Sequence, residues 1–282
     1  METTTTKTWF ITGASSGFGM AFARHALQRG DRVVATARTP AKLDALVAEA
    51  PDRVLALKLD VTREGDAQAA VAAALAHFGR IDVLVNNAGY GTVGAVEETP
   101  EAELRAQMDT NFFGAFAAIQ AVLPAMREQR SGAIVNISSM GGQMSYGGFG
   151  AYSASKFALE GLSEALALEV AAFGIKVLVV EPGSFRTEFA TTDALRQMPE
   201  MAAYRDIVGG TREFARGMHG NQPGDPARIP PAVVQALEAE VTPLRLQLGA
   251  DSVDAVRGHA EQLLKDLAAW EAVGRATGFD AA

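Results

Sequence analysis

Residues 8–19 read Thr8-Trp9-Phe10-Ile11-Thr12-Gly13-Ala14-Ser15-Ser16-Gly17-Phe18-Gly19, an apolar run that breaks into a glycine-rich turn and leads into the helix-like segment 20–29. A strand, a tight turn and a helix N-terminus in that order point backbone N–H groups outward at the positive end of a helix dipole, which makes an anion site that a pyrophosphate would fit. Glycines at 13, 17 and 19 permit the turn, the approach of backbone to phosphate and a close helix-to-strand contact. Two extra residues separate the first pair of glycines relative to the standard dinucleotide fingerprint. Taken alone, the segment therefore leaves open a glycine-rich helix cap with no ligand.

Outward from this turn, short β-branched runs alternate with alanine-rich helical stretches. Strands are expected near 7–12, 32–37, 54–59, 83–86, 133–138, 176–181 and 244–247, and long helices over 100–128 and 152–173. That alternation predicts an α/β fold: right-handed βαβ units forming a doubly wound, seven-stranded parallel sheet with helices on both faces. In such sheets ligands bind beyond the carboxyl ends of the strands. The turn 13–19, Asp60, the Asn86–Gly89 stretch, Ser139 and the 182–187 stretch each follow a strand, so one cleft collects them all.

The 282 residues suit a single domain, 48% of them apolar with no unbroken segment able to span a bilayer. Residues 1–7 are rich in threonine and lack an apolar signal core, so a cytoplasmic location is expected. With no cysteine, disulfides, thiolate metal sites and a cysteine nucleophile are excluded. The four histidines at 25, 77, 219 and 259 are scattered, and no metal site is expected. A net charge of −8 without a basic stripe argues against nucleic acid or an anionic membrane as partner.

Tyr152 and Lys156 stand four residues apart in a helical segment, with Ser139 thirteen positions upstream at the end of a β-like run. Side chains at i and i+4 share a helix face, so an ammonium beside a phenol favours the phenolate. The pair reads as a proton-transfer device; a half-buried tyrosine beside a solvated lysine stem is the bland alternative.

Residues 12–187 resemble the short-chain dehydrogenase/reductase family. Its Thr-Gly-x-x-x-Gly-x-Gly pattern matches 12–19, its Asn-Asn-Ala-Gly matches 86–89, its catalytic Ser, Tyr and Lys fall on Ser139, Tyr152 and Lys156, and its relay asparagine falls on Asn111. The Pro-Gly and threonine after the sixth strand fall on Pro182, Gly183 and Thr187. The resemblance implies a Rossmann-like domain over 1–282 that binds a nicotinamide dinucleotide. Gly13, Ser15, Ser16, Gly17, Phe18 and Gly19 would cradle its pyrophosphate. Asp60 and Val61 would flank the adenine, unless Asp60 merely caps the following turn. Asn87, Ala88 and Gly89 would line the floor, and Pro182, Gly183 and Thr187, with Tyr152 and Lys156, would hold the nicotinamide end.

The resemblance further implies that Tyr152 protonates a carbonyl oxygen as hydride leaves the nicotinamide, that Ser139 donates a hydrogen bond to the same oxygen, and that Lys156 lowers the tyrosine pKa. Asn111, a poor helix former inside 100–128, would open the turn there and hold a water with its backbone or side chain.

An NAD enzyme would place an acid about 20 residues past the glycine loop. This chain has Arg38 there and no Asp or Glu between Asp31 and Asp44. Arg38 can meet a 2′-phosphate unopposed, so NADP(H) is expected, with NAD(H) possible and Arg38 as a solvated strand end the alternative.

The expected reaction is interconversion of a hydrophobic ketone or aldehyde and its alcohol. An NAD-dependent alcohol dehydrogenase and a non-catalytic NADP-binding sensor are the other readings. Gln143, Met144, Tyr146 and Phe149, with Phe189, Met198, Met201 and Tyr204, are the candidates for an adaptable apolar pocket under a lid around 187–225. The segment 209–231 reads as a loop leading into a helix from about Pro231, and 251–275 as an additional amphipathic helix. By resemblance, the two long helices would join the chain into a homodimer or homotetramer.

Overall fold

The computed structural model describes residues 6–191 and 194–279. The main sheet is built from β1 (Thr8–Ile11), β2 (Arg32–Ala37), β3 (Val54–Lys58), β4 (Val83–Asn86), β6 (Gly132–Ile137), β7 (Ile175–Pro182) and β9 (Arg245–Leu248), after β5 (Gly91–Val93) and β8 (Leu195–Gln197) are set aside as a separate pair. Its order is β3-β2-β1-β4-β6-β7-β9 with every neighbour parallel, so the strand order reverses between β1 and β4. That is the doubly wound, seven-stranded sheet expected, and the glycine turn follows β1 at the reversal.

Alternation along β1 shows why both faces are covered. Trp9 and Ile11 enter one core with Phe22, Val33, Leu178 and Val233, while Phe10 enters the other with Val34, Val71, Ile119 and Leu166. Side chains in a strand point alternately up and down, so a strand buried on both faces is mostly apolar, as the all-buried β1 is after Thr8. The first core is closed by helices α1 (Gly17–Gln28), α2 (Asp44–Glu49) and α8 (Ile229–Glu238). The second is closed by α3 (Asp66–Phe78), α5 (Gly114–Gln129) and α6 (Gly150–Val170).

Three departures from the sequence reading bear on function. The long helix expected over 100–128 is split into α4 (Glu101–Met108) and α5 by a π-helical turn, Asp109–Phe113, which holds Asn111. Part of 209–231 is helical: α7 (Arg205–Gly217) runs through its glycines because Val208, Arg212 and Ala215 recur at helical spacing on a buried face. The parallel β5–β8 pair went unpredicted, being three residues a side with no alternation long enough to register. After β9 comes α9 (Ala250–Arg275), whose only buried residue is Ser252. No helix among the described residues is long and apolar enough to cross a membrane.

Candidate active site

The carboxyl edge of the sheet opens into a cavity of about 1200 Å³. Its wall contains Gly13, Ser15, Ser16, Gly17 and Phe18 after β1, Arg38 after β2, Asp60 and Val61 after β3, and Asn87, Ala88 and Gly89 after β4. Ser139 follows β6, Tyr152 and Lys156 come from α6, and Pro182, Gly183 and Thr187 come from the end of β7 and beyond. Two predicted residues stand outside the wall. Gly19 lies behind the turn, where a Cβ would collide with the Gly13 carbonyl oxygen and come within 2.7 Å of Asn87 Nδ2. Its part in this structure is the close helix-to-strand contact. Asn111 is buried, its side chain on Tyr90 and Ser155.

The glycine turn is held open by the neighbouring strand. Gly13 takes φ +64°, a left-handed backbone that side chains resist. Asn87 Nδ2 donates to the carbonyls of Thr12 (2.9 Å) and Gly13 (3.0 Å), and the N–H groups of Asn87 and Ala88 donate to Thr12 Oγ1 at 2.9 and 3.0 Å. Thr12 and the Asn-Asn-Ala-Gly stretch are thus one clamp, which fixes the direction of the turn's free N–H groups. Phe18 and Phe185 meet edge to face at 5.5 Å between centroids, linking the turn to the segment after β7.

Ser139 Oγ accepts from the Gly141 N–H at 3.0 Å, leaving its own O–H to donate. The Tyr152 ring lies between Phe149 and Phe189, at 6.2 and 5.7 Å between centroids. Burial pushes Tyr152 up to about 12, with Ser139 the one opposing influence. Lys156 Nζ is 5.8 Å from the ring centre and donates to the Ile137 carbonyl at 2.8 Å. Burial brings this amine down to about 8, with Glu160 one turn on acting in the opposite sense.

Asn111 Nδ2 donates to the Tyr90 carbonyl and to Ser155 Oγ, both at 2.9 Å, and its Oδ1 accepts from the Tyr90 N–H at 3.0 Å. The turn is opened as expected; both side-chain N–H groups are used, which leaves the second lone pair of Oδ1 and the backbone for any water. Asp60 accepts from Thr62 N (3.1 Å) and Oγ1 (2.7 Å), so the turn-capping role is present. Burial alone would raise its carboxyl; the Thr62 hydrogen bonds, with Arg38 and Arg63 nearby, bring it below the ordinary range.

Of the pocket candidates, Met144, Tyr146, Phe149 and Phe189 are in the wall, whereas Gln143, Met198, Met201 and Tyr204 are not. Met198 faces Gly94 and Arg212 instead, and Tyr204 donates to Glu97 at 2.6 Å. Phe214 and Met218 take their place, missed because 209–231 read as loop. Lys42 was also missed, although it lies ahead of the first carboxylate after Arg38. Asp251, which accepts from the Ser184 N–H at 2.7 Å across 67 residues of sequence, carried no signal. Glu160 and Glu164 turn from Tyr152 to Arg245, at 3.0 and 2.8 Å.

The sequence matches the short chain dehydrogenase family over residues 7–197. A crystal structure of a short-chain dehydrogenase from Streptomyces avermitilis is 52% identical, with a TM-score of 0.93 over 98% of this chain and 100% of that one. A short chain dehydrogenase/reductase from Burkholderia phymatum, in complex with NAD, is 26% identical, with a TM-score of 0.81 over 94% and 97%. The 3-ketodihydrosphingosine reductase of Bacteroides thetaiotaomicron is 40% identical over 248 residues, 85% of this chain and 86% of that protein. With its doubly wound sheet, glycine turn and Ser-Tyr-Lys grouping in one cleft, the chain belongs to the short-chain dehydrogenase family and is an oxidoreductase.

Proposed function

We propose that the chain reduces the carbonyl of a hydrophobic ketone or aldehyde to its alcohol with NADPH, Tyr152 acting as general acid. The observation that carries this reading is the convergence of Ser139, Tyr152 and Lys156 on the wall of one cavity, which two exposed bases, Arg38 and Lys42, also line. The turn's N–H groups suit a pyrophosphate, and no carboxylate occurs between Asp31 and Asp44 to oppose a 2′-phosphate, so the residues fit this dinucleotide. Gly13 to Phe18 would hold the pyrophosphate, Asp60 and Val61 the base, Asn87 to Gly89 the floor, and Pro182, Gly183 and Thr187 the nicotinamide end. When bound, the cofactor supplies hydride to the carbonyl carbon.

The chain's own residues handle the oxygen and its proton. Ser139, polarised by the Gly141 N–H, donates to the carbonyl oxygen and stabilises the charge that develops there. Tyr152, held at about 12, carries its proton at neutral pH and gives it to that oxygen. Lys156 stabilises the phenolate left behind, and the backbone of Asn111 holds the water that returns the proton.

The cavity wall supports an apolar substrate: Met144, Phe149, Phe189, Phe214 and Met218 line it, Phe149 and Phe189 against Tyr152, and the segment around 187–225 would cover them. A ketone is supported by the relative named for reduction of a 3-keto compound. The NAD bound by the Burkholderia phymatum protein favours a second reading, an NAD-dependent alcohol dehydrogenase working oxidatively. Exposed Phe113, Phe157 and Leu168 on or beside the long helices support their use in a homodimer or homotetramer.

Tyr152→Phe tests the proposal. Turnover of NADPH with an apolar carbonyl panel is expected to fall by roughly a thousand-fold or more while NADPH affinity stays within about two-fold. Retained turnover removes the acid role.

A further inference from the structure

Beyond the cleft, the feature that nothing described so far uses is the outer part of α9. Every described residue from 260 to 279 is exposed. Along this free segment, about 24 Å of helix between 260 and 275, Leu263, Leu264, Leu267, Trp270 and Val273 are 55, 66, 67, 68 and 59% exposed. Val256, Ala260, Leu263, Leu267, Trp270 and Gly274 recur at spacings of 4, 3, 4, 3 and 4. That 4-3 spacing matches the seam of a two-stranded coiled coil, with Leu264 and Val273 flanking it on either side.

We propose that α9 pairs antiparallel with α9 of a second copy of this chain, through the stripe from Ala260 to Gly274, with the two-fold axis passing near Lys265. Charge and size both select that partner and that register. Trp270 of one copy falls on Ala260 of the other and Leu267 on Leu263, so each large side chain meets a small or equal one. On one flank Leu264 meets its own copy, and Arg257, which has no ion-pair partner among the described residues, faces Glu271 of the other chain. On the other flank Asp266, which accepts from Gln262 at 2.8 Å, meets its own copy and limits the affinity. A parallel pair would stack Trp270 on Trp270 and leave Arg257 unmatched. A membrane surface fits less well: residues 256–275 carry Arg257, Lys265 and Arg275 against Glu261, Asp266 and Glu271, so no basic face accompanies the stripe. This pairing is independent of the reaction proposed above and of the interface proposed for the long helices.

The chain has no cysteine, so single introduced thiols report the register directly. In the full chain, Leu264→Cys is expected to cross-link to itself under mild oxidation. Trp270→Cys, whose two copies would lie about 15 Å apart along the axis, is expected to fail alone and to cross-link when mixed with Ala260→Cys. Leu263→Glu/Leu267→Glu should weaken self-association by more than about a hundred-fold in sedimentation, halving the assembly's mass and leaving NADPH affinity unchanged. Arg257→Glu should weaken it, and Arg257→Glu/Glu271→Arg should restore it. A Trp270→Cys self-cross-link, or no cross-link from Leu264→Cys, overturns the register. An unchanged mass for the double glutamate variant overturns the pairing. So does wild-type binding to phosphatidylcholine/phosphatidylglycerol vesicles that the double variant loses with no change in mass.

Discussion

Lys156 Nζ donates to the carbonyl oxygen of Ile137 at 2.8 Å, which anchors a buried ammonium to the last residue of β6, two positions before Ser139. Burial is the main reason this amine sits near 8 and not near 10.5, with Glu160 the opposing influence. An amine whose pKa is lowered on folding costs stability wherever it must remain charged; the cost is fully present below about pH 8 and vanishes above the unfolded value.

Lys156→Met removes that buried charge at the expense of one hydrogen bond to Ile137. The cofactor-free variant is expected to be more stable than the parent at pH 7 by about 1–2 kcal/mol, with no gain at pH 10.5, while turnover is lost. Denaturant midpoints at the two pH values check it. A destabilised variant at pH 7 would mean that the ammonium contributes more through Ile137 than burial costs.

Arg38 and Lys42 form the basic end of the cavity, both exposed. Replacing Arg38 with Asp and Lys42 with Ala substitutes an acceptor for ribose hydroxyls where a 2′-phosphate would otherwise be held. The preference for NADPH over NADH is expected to fall by at least about a hundred-fold, two charge-assisted contacts being lost and one repulsion gained. The ratio of kcat/KM for the two cofactors measures it. A parent enzyme that already prefers NADH would remove the NADP assignment.

Glu98 and Arg212 are an ion pair with side chains 0 and 3% exposed, joining the segment after β5 to the inner face of α7. Glu98 also accepts the N–H groups of Ala95 and Met201, both at 2.7 Å, and Arg212 donates to the Met198 carbonyl at 2.9 Å. Removing one partner leaves the other buried and unpaired, so Arg212→Met is expected to cost about 3–5 kcal/mol. It should also open 199–217 to limited proteolysis. Glu98→Gln/Arg212→Met should recover part of the loss, which chemical denaturation of the three variants resolves.

How far the sequence carried this reading depended on whether a residue's role was local. The glycine turn, the Tyr152–Lys156 pair and Asn111 were legible because backbone geometry and helical spacing act within a few residues, and each lies where its segment was expected. The burial that pushes Tyr152 up is a tertiary property, which helical spacing does not report. Helix α7 was hidden because glycines 209 and 210 mask a periodicity that the buried contacts of Val208, Arg212 and Ala215 sustain. Asp251 reaches Ser184 only because β9 delivers the start of α9 to the end of β7.

Beneath the cleft, Glu181 on β7 is fully buried, accepting from Gln247 at 2.7 Å, with Arg245 at 3.6 Å and Glu160 also on that guanidinium. Burial first, then repulsion from Glu160, pushes Glu181 up to about 7 against the partial relief from Gln247, Arg245 and Gln143. A carboxyl raised on folding keeps its proton to higher pH in the folded chain than in the unfolded one. Its contribution is therefore fully present below the ordinary 4.5 and is lost as pH climbs through about 7. Glu181→Gln keeps an acceptor for Gln247 but cannot ionise, and Arg245 retains Glu160 and Glu164. The variant's Tm should lie close to the parent's at pH 5 and exceed it at pH 8. A difference that does not change with pH would show that Glu181 titrates normally and that its burial is compensated by Arg245.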